Sequence, residues 1–160
     1  MKENVIIILD EPINNDCGLL TKLVFRSKAS HGYSHAFMEK CRDEIRVTPI
    51  TLSNGPSQLA WINDRSQPVG FVQVVAKTPE RCELEALFVD PETQGKGIGQ
   101  RLFKWAIAQA LNLGFADLII NSDPGAERFY LAAGAVRTGD IPSGSIPGRT
   151  LPQLTYNLRA

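Results

Sequence analysis

Short apolar segments and longer segments with helical periodicity alternate along the chain. The short segments predict β-strands because each is a brief apolar run bounded by turn-forming residues. We predict strands at residues 5–9, 59–63, 69–77, 82–89, 118–121 and 153–158. We predict helices at residues 18–30, 34–44, 97–113 and 125–133, and an irregular Pro- and Gly-rich tail at 141–152. Strands both form hairpins and flank helices, so we expect a mixed sheet and an α/β or α+β fold.

The helix predicted at residues 97–113 has the clearest amphipathic pattern. Apolar residues recur in it at every fourth position, at Ile98, Leu102, Ala106 and Ala110. This spacing places them on one face of a helix, which we expect to pack on the sheet. Gly114 then provides a natural end, since glycine readily adopts the left-handed conformation that follows many helices.

The strand predicted at residues 82–89 alternates between two kinds of position. Successive side chains of a strand point to opposite faces of its sheet. We therefore assign to one face Cys82, Leu84, Ala86 and Phe88. We assign to the other face Glu83, Glu85, Leu87 and Val89. The first face is expected to pack on a core, while the second carries two carboxylates beside apolar residues, which is typical of a strand that lines a cleft.

The composition is that of a folded protein without a general attraction for polyanions. The chain has 160 residues, of which 43% are apolar, and we expect one domain over residues 1–160. Lys and Arg together number 17, and Asp and Glu also number 17, so the net charge is zero. A neutral chain gives no reason to expect nucleic acid or a membrane surface as a partner.

The cysteines do not form a metal-binding pattern. Cys17, Cys41 and Cys82 lack metal-ligand spacing, and only two histidines could add ligands, so we predict no metal. The apolar run at residues 5–9 is too short for a secretory signal or a membrane span. Free thiols suit a reducing compartment, so the chain is expected to be cytoplasmic.

Three alternate glycines stand between the strand at residues 82–89 and the long helix. Gly95, Gly97 and Gly99 remove side chains where a backbone must approach a ligand closely. The start of the helix has unpaired N–H groups and the positive end of the helix dipole, so it favours an anion. Hydrogen bonds to charged groups contribute roughly 1.5–3 kcal/mol each, so several can hold a diphosphate, and Lys96 can add a positive charge.

Two common nucleotide-binding motifs do not fit this spacing. A P-loop needs Ser or Thr directly after its lysine, whereas Gly97 follows Lys96. A dinucleotide-binding fingerprint has the pattern Gly-x-Gly-x-x-Gly, with an acidic residue at the end of the next strand. Here the pattern is Gly-x-Gly-x-Gly, and Asp117 stands at the start of its strand. A nucleotide-binding module is therefore disfavoured, and a glycine-rich turn without a ligand is the plainer alternative.

Two segments resemble motifs of the GCN5-related N-acetyltransferases. Residues 87–102 resemble the family's motif A and include the sequence Gln-Gly-Lys-Gly-Ile-Gly. Residues 123–135 are similar to its motif B and include the pair Phe-Tyr. The two motifs follow in the family's order, and the close resemblance covers residues 55–135. Residues 142–152 also resemble a bacterial subgroup of the family.

The resemblance implies a splayed, mixed β-sheet flanked by helices, with acetyl-CoA in an opening between the strands that end at Val89 and Asn121. It implies that a backbone segment pairs with the pantetheine arm and polarises the acetyl carbonyl, through Leu87, Phe88 and Val89. It implies that the pyrophosphate is bound at Gln94, Gly95, Lys96, Gly97, Ile98, Gly99 and Gln100. Many members have Asn at the start of motif B, where this chain has Asp123, which can accept a hydrogen bond from the pantetheine amide but cannot donate one.

Tyr130 occupies the position at which the family places a tyrosine that meets the coenzyme and protonates the departing thiolate. A phenol with a pKa near 10 can donate a proton to a thiolate, so Tyr130 is a candidate general acid. The alternative is an aromatic residue that packs beside Phe129, with its hydroxyl hydrogen-bonded locally.

Glu83 and Glu85 share the predicted cleft face, and either can accept the proton of an attacking amine, directly or through water. Partial burial would raise the pKa of such a carboxyl toward the working pH. Some family members place a base on this strand, and position 83 is the better match. The alternatives are that the glutamates orient the substrate or form a salt bridge in the hairpin, and that water alone takes the proton.

Three further residues are candidates for contact with the acceptor. The family forms part of its acceptor wall from a helix break, which here contains His31 and Tyr33, although a loop histidine is more often simply solvated. Arg149, which lies between two prolines, is a candidate partner for a substrate carboxylate.

Together these features predict an N-acetyltransferase that moves an acetyl group from acetyl-CoA to an amine by direct attack in a ternary complex. The acceptor, a small molecule or a peptide, is not identified by the sequence. The alternative is a non-catalytic acyl-CoA sensor on the same fold. Dimers are common in the family, so a homodimer is an open alternative to a monomer.

Overall fold

The computed structural model describes residues 5–144 and 146–159. The strands are β1 Ile7–Asp10, β2 Ser57–Ile62, β3 Gly70–Ala76, β4 Arg81–Val89, β5 Asp117–Asn121, β6 Val136–Pro142 and β7 Thr150–Asn157. The helices are α1 Cys17–Ala29, α2 His35–Cys41, α3 Pro49–Leu52, α4 Ile98–Asn112 and α5 Glu127–Ala132. The strands form a seven-stranded sheet in the order β1-β2-β3-β4-β5-β7-β6.

One parallel pair of strands makes the sheet mixed. β4 and β5 run parallel, whereas the other described pairs of neighbours are antiparallel. The parallel pairing joins only residues 81–83 of β4 to residues 117–119 of β5. Beyond these residues the two strands separate, and a cavity lies between them. The predicted splayed, mixed sheet flanked by helices is therefore confirmed.

α4 packs on the sheet through the face that its sequence predicts. Its buried residues are Ile98, Leu102, Phe103, Ala106 and Ala110. A Cβ atom on Gly70 of β3 would lie 2.7 Å from Leu102 Cδ1 and 2.9 Å from Ile98 Cγ2. Both distances are shorter than a carbon–carbon contact allows, so the glycine permits the close approach of α4 to β3. Gly114, with φ of +86°, follows the helix end as predicted.

β4 contributes to two apolar clusters, one on each side of the sheet. Cys82 and Leu84 pack in the cluster under α4, whereas Ala86 and Phe88 pack in the cluster under α1. The prediction that these four residues share one face is therefore wrong. The pairing register between β3 and β4 shifts at Glu85, which has no residue opposite it. An extra residue of this kind is a β-bulge, which breaks the alternation of side chains along the strand.

The bulge also divides the other predicted face of β4. Leu87 and Val89 pack on the α4 side with the first cluster. Glu85 lines a cavity on the α1 side, and Glu83 alternates with the two buried residues that flank it. The two glutamates are thus on the opposite side of the sheet from Leu87 and Val89, which corrects the prediction that all four line one cleft face.

Two more differences from the predicted elements lie near the edge of the sheet. β6 is an edge strand whose residues are mostly exposed, so it lacks the alternation of apolar and polar residues by which a half-buried strand is recognised. The tail predicted at residues 141–152 is wrong at both ends, because β6 extends to Pro142 and β7 begins at Thr150. Ser145, in the middle of that segment, lies outside the described residues.

Candidate active site

A cavity of about 500 Å³, called here the loop cavity, lies between the end of β4 and the start of α4. Its apolar lining includes Leu87 and Val89 of β4 and Phe129 and Tyr130 of α5. Most of the glycine loop, defined as residues 94–100, forms another part of its wall. The volume is within the range of about 300–1,000 Å³ that is usual for pockets that bind small molecules.

Apart from Gln94, whose N–H donates to the Pro91 carbonyl oxygen at 3.4 Å, the backbone amides of the glycine loop have no acceptors within the described structure. No N–H of residues 95–100 donates a hydrogen bond to another described residue. Gly95 and Gly97 have φ of +83° and +81°, a conformation that disfavours any residue with a Cβ atom. The loop leads directly into α4, whose N-terminal residues add the positive end of a helix dipole. This arrangement is suited to an anion with several oxygen atoms.

The predicted loop residues do not all face the cavity. Gln94, Ile98 and Gln100 contribute to its wall, whereas Lys96 is exposed and does not line it. The exposed position of Lys96 leaves its ammonium group free to approach a phosphate only from the solvent side.

A buried carboxylate fixes the start of the glycine loop. Asp90 is 8% exposed, and its Oδ2 accepts a hydrogen bond from Nη2 of Arg26 in α1 at 2.9 Å. Its Oδ1 accepts from the backbone N–H of Glu92 at 3.0 Å. The loop is therefore tied to α1 across the sheet. Our sequence analysis did not single out Asp90, although Asp before Pro at a strand end is a recognisable turn and cap signal.

Two smaller cavities continue from the loop cavity, one adjoining it and the second adjoining the first. The split cavity, of about 140 Å³, lies between β4 and β5. It shares Leu87 and Tyr130 with the loop cavity. It shares Glu85 with the α1 cavity, a space of about 230 Å³ lined by α1, β4 and part of residues 143–151. A ligand on either face of the sheet can therefore reach the split between the two strands.

Tyr130 lies where the loop and split cavities meet. Its side chain is 6% exposed, and its ring packs edge-to-face on Phe103 and Phe129. Its hydroxyl makes no hydrogen bond to a described residue, although it lies in two cavity walls. Burial raises the pKa of Tyr130 well above the ordinary tyrosine value, and the negative charge of Asp123 raises it further. Tyr130 is therefore a protonated donor at neutral pH.

The two candidate bases differ in their surroundings. Both oxygens of Glu83 are engaged, because Oε1 accepts a hydrogen bond from Asn121 Nδ2 at 3.0 Å and Oε2 lies 3.3 Å from Lys77 Nζ. Glu85 forms no hydrogen bond or ion pair with a described residue. It is accessible to solvent, yet it lies in the walls of two cavities, and reduced hydration there raises its carboxyl pKa, with a further rise from the charge of Glu83.

Tyr33 and Arg149 meet in a network that joins α1, the helix break and the β6–β7 connection. Arg149 Nη2 donates a hydrogen bond to the Tyr33 oxygen at 2.7 Å, and the Tyr33 hydroxyl donates to Asp123 Oδ1. Lys28 Nζ lies 3.2 Å from Asp123 Oδ2. Burial raises the pKa of Tyr33 to about 12, and its hydrogen bond to Asp123 contributes. Lys28 was missed by our sequence analysis, because a lysine on a helix usually indicates only a solvated surface.

His31 forms no hydrogen bond or ion pair with the described residues of this network, although it shares the split cavity with Lys28 and Asp123. It lines the loop and split cavities rather than the α1 cavity. A Cβ atom on Gly125 would lie 2.9 Å from His31 Nδ1, so the glycine allows the imidazole to pack against the start of motif B. The structure thus separates His31 from Tyr33 and Arg149, with which the sequence analysis grouped it.

Comparison with known families relates this arrangement to an enzyme class. Residues 23–135, most of the chain, match the model of the acetyltransferase (GNAT) family. The chain belongs to the GNAT family. The resemblance noted in its two motifs is therefore confirmed.

Solved GNAT structures share the whole architecture at low sequence identity. A GCN5-related N-acetyltransferase from Rhodopseudomonas palustris has a TM-score of 0.77 and 21% identity, with 94% of each chain covered. The PaiA N-acetyltransferase from Thermoplasma acidophilum, solved in complex with coenzyme A, has a TM-score of 0.76 and 17% identity, and the match covers 94% of this chain and 98% of that chain. At these identities the likeness shows the fold.

A curated relative matches over a shorter segment. The peptidyl-lysine N-acetyltransferase YjaB from Escherichia coli K12 is 35% identical over 60 residues. This match covers 36% of the present chain and 37% of the relative.

Two further features of the described residues concern membranes and metal ions. No helix in the described part of the chain has the length and apolar character needed to cross a membrane. Within residues 5–144 and 146–159 there is no group of three or more His, Cys, Asp or Glu side chains placed to hold a metal ion.

Proposed function

We propose that this GNAT member transfers an acetyl group from acetyl-CoA to an amine by direct attack in a ternary complex. The observation that carries the proposal is the set of three adjoining cavities. They present unpaired N–H donors on the α4 side of the sheet and the unpaired carboxylate of Glu85 on the α1 side. The coenzyme A complex of the Thermoplasma acidophilum relative supports the assignment of the loop cavity to the coenzyme.

The loop cavity fits coenzyme A in charge and in polarity. The free amides of residues 95–100 are suited to the pyrophosphate, and Lys96 can add charge from the solvent side. The apolar walls at Leu87 and Val89 suit the pantetheine arm. Beyond residue 83 the edge of β4 that faces β5 has no strand partner, so its backbone groups at residues 87–89 can pair with the pantetheine amides and polarise the acetyl carbonyl.

In this proposal the Asp123 carboxylate lies beside the pantetheine arm, although both of its oxygens already have partners within the protein. Tyr33 and Lys28 each contact one of its oxygens. A carboxylate oxygen has a second lone pair, so Asp123 can also accept an N–H of the pantetheine. His31, on the wall of the loop cavity, is in this proposal a contact for the coenzyme side rather than for the acceptor.

When bound, acetyl-CoA supplies a thioester that an amine can attack. Glu85 is the better base of the two glutamates, because its oxygens are free and its raised pKa makes it a stronger proton acceptor than an ordinary carboxylate. The amine nitrogen forms a bond to the acetyl carbon as the carbon–sulfur bond breaks. Glu85 takes one proton from the amine, directly or through water, and the Tyr130 hydroxyl gives its proton to the departing sulfur.

The test is release of free coenzyme A thiol from acetyl-CoA with a panel of amines and with no amine. The proposal predicts thiol release that depends on an added amine and an acetylated product of matching amount. Saturable binding of acetyl-CoA without amine-dependent release from any member of the panel would contradict transfer and would favour the non-catalytic sensor.

A further inference from the structure

The wall of the α1 cavity contains charged side chains of both signs, and two of its three cations are neutralised within the protein. The charged residues in this wall are Lys28, Glu44, Arg46, Glu85 and Arg149. Lys28 is paired with Asp123 at 3.2 Å. Arg46 is paired with Asp43, also at 3.2 Å, on the outer surface. Neither of these two cations therefore requires a charged ligand.

Glu44 supports the segment that closes one side of the cavity. Its Oε1 lies 3.2 Å from the position that a Cβ atom on Gly144 would take. The glycine therefore allows the carboxylate to lie against the β6–β7 connection, the same connection that carries Arg149. Glu44 thus contributes to the shape of the wall, and its negative charge also acts on Glu85, whose pKa it raises.

Arg149 differs from the other cations because it has no anionic partner among the described residues. Its Nη2 donates to the Tyr33 hydroxyl oxygen at 2.7 Å, and its guanidinium carbon lies 4.9 Å from the centre of the Phe37 ring. Tyr33 is uncharged at neutral pH because its pKa is raised to about 12. The contacts thus orient the guanidinium without neutralising it, and its other N–H groups stay available for a bidentate contact with a carboxylate.

Glu85 is the complementary anionic group in the wall of the same cavity. It lies in the wall shared with the split cavity, towards the proposed thioester. Glu85 and Arg149 line the same space but do not form an ion pair with each other. A cavity of about 230 Å³ is smaller than the roughly 300–1,000 Å³ of most small-molecule pockets, so its size favours a compact acceptor.

We propose that the acceptor is a small amine that carries its own carboxylate, as an amino acid does, with Arg149 binding the carboxylate and Glu85 receiving the proton of the amine. This inference rests on the proposed function, since it names the acceptor of the same site. A lysine side chain within a protein, the acceptor that the name of the Escherichia coli relative indicates, has no such carboxylate close to its amine.

The test compares matched acceptors with the full-length enzyme and acetyl-CoA. A panel of free amino acids is assayed beside the carboxamide of each, and beside a lysine peptide with blocked termini. The wild-type enzyme is expected to prefer the carboxylate over its amide by roughly 10- to 150-fold in kcat/KM, the effect of one strong charge-assisted hydrogen-bonded contact. The preference is expected to arise in KM for the acceptor.

Substitutions test whether Arg149 causes the preference for the carboxylate over the amide. Arg149→Gln should bring the preference for the carboxylate close to one, with unchanged affinity for coenzyme A, whereas Arg149→Lys should keep part of it. Arg65→Gln is the matched control, because it removes another guanidinium, one that is paired with Asp10 at 2.8 Å and lines none of these cavities. It should keep the full preference.

Several outcomes would overturn the inference. Equal use of amino acids and their amides by the wild type would do so without any variant, even if Arg149→Gln failed to fold. An unchanged preference for the carboxylate in a folded Arg149→Gln variant would also overturn the inference. Acetylation of the blocked lysine peptide in place of amino acids would overturn it as well. In that last case the proposed acetyl transfer would stand and only the acceptor class would be wrong. Coenzyme binding without transfer to any amine would instead contradict the proposed function itself.

Discussion

Replacement of Tyr130 by phenylalanine separates a catalytic role from a structural one. The hydroxyl of Tyr130 makes no hydrogen bond to a described residue, while its ring packs on Phe103 and Phe129. Tyr130→Phe keeps the ring and removes only the hydroxyl, so no internal hydrogen bond is lost. The free energy of unfolding at neutral pH is therefore expected to change by no more than about 0.5 kcal/mol, as for a substitution that breaks no partner contact.

The effect of Tyr130→Phe on turnover should be much larger than its effect on stability. General acid–base groups typically contribute 10²–10⁴-fold to rate. A thiolate is a tolerable leaving group, so we expect the lower end, a loss of about 10- to 100-fold in kcat, which corresponds to about 1.4–2.7 kcal/mol in the activation free energy. The dissociation constant of coenzyme A should stay the same, because the hydroxyl donates to the sulfur only as it departs.

The assay measures kcat by thiol release, the affinity for coenzyme A by calorimetry, and the free energy of unfolding by denaturant titration. Full turnover in Tyr130→Phe with a good acceptor would refute the acid role. A loss of turnover that accompanies an equal loss of stability or of coenzyme affinity would refute the reasoning that only the hydroxyl matters.

The raised pKa of Tyr130 also predicts the direction in which the stability of the protein changes with pH. Its folded-state pKa is raised above the unfolded value of about 10, so above that pH the folded protein binds more protons than the unfolded chain. Stability should therefore fall as pH rises above about 10, and this fall should be smaller in Tyr130→Phe. Denaturant titrations of both proteins between about pH 8 and about pH 11 would measure the difference.

Two further predictions concern the proposed base and the packing of α4. Glu85→Gln should abolish the acidic limb of the pH dependence of kcat, whereas Glu83→Gln should leave that limb in place. In the wild type the limb should lie above the ordinary glutamate pKa of about 4.3, because the pKa of Glu85 is raised. Retention of the limb in Glu85→Gln would exclude Glu85 as the base. Gly70→Ala should lower the free energy of unfolding by about 1–3 kcal/mol, because its Cβ atom would lie within 2.9 Å of two side chains of α4. Gly18→Ala, in α1 with open space around it, is the matched control and should be neutral or stabilising; equal thermal stability of the two variants would contradict the packing argument.

The features that the sequence predicts best depend on local pattern. The apolar spacing of α4 predicts which of its faces is buried, and the three alternate glycines predict a loop of free amides before it. Both features depend on residues close together in the chain. The helical period of apolar residues is enough to identify the buried face of α4, and the three glycines are enough to identify the loop. The resemblance of the two motifs to the GNAT family adds the order of the elements around the split between β4 and β5.

The features that the sequence does not predict arise from pairing between distant segments. The bulge at Glu85 results from the register of β4 against β3, and nothing in the alternation of residues 82–89 reveals it. The contacts of Tyr33 with Asp123 and Arg149 join residues that are far apart in sequence, and Asp123 is also held by Lys28. Side chains of these types are common on surfaces, so their convergence is visible only in the folded chain.

The most direct test of the account is the affinity for coenzyme A beside that for pantetheine, which lacks the pyrophosphate and the nucleoside phosphate attached to it. The central claim is that the free amides of residues 95–100 bind that pyrophosphate. Calorimetric titration of the folded protein should show saturable binding of coenzyme A at least about tenfold tighter than that of pantetheine, since each hydrogen bond to a charged oxygen contributes roughly 1.5–3 kcal/mol. Equal affinity for the two compounds, or no binding of coenzyme A by the folded protein, would contradict the claim.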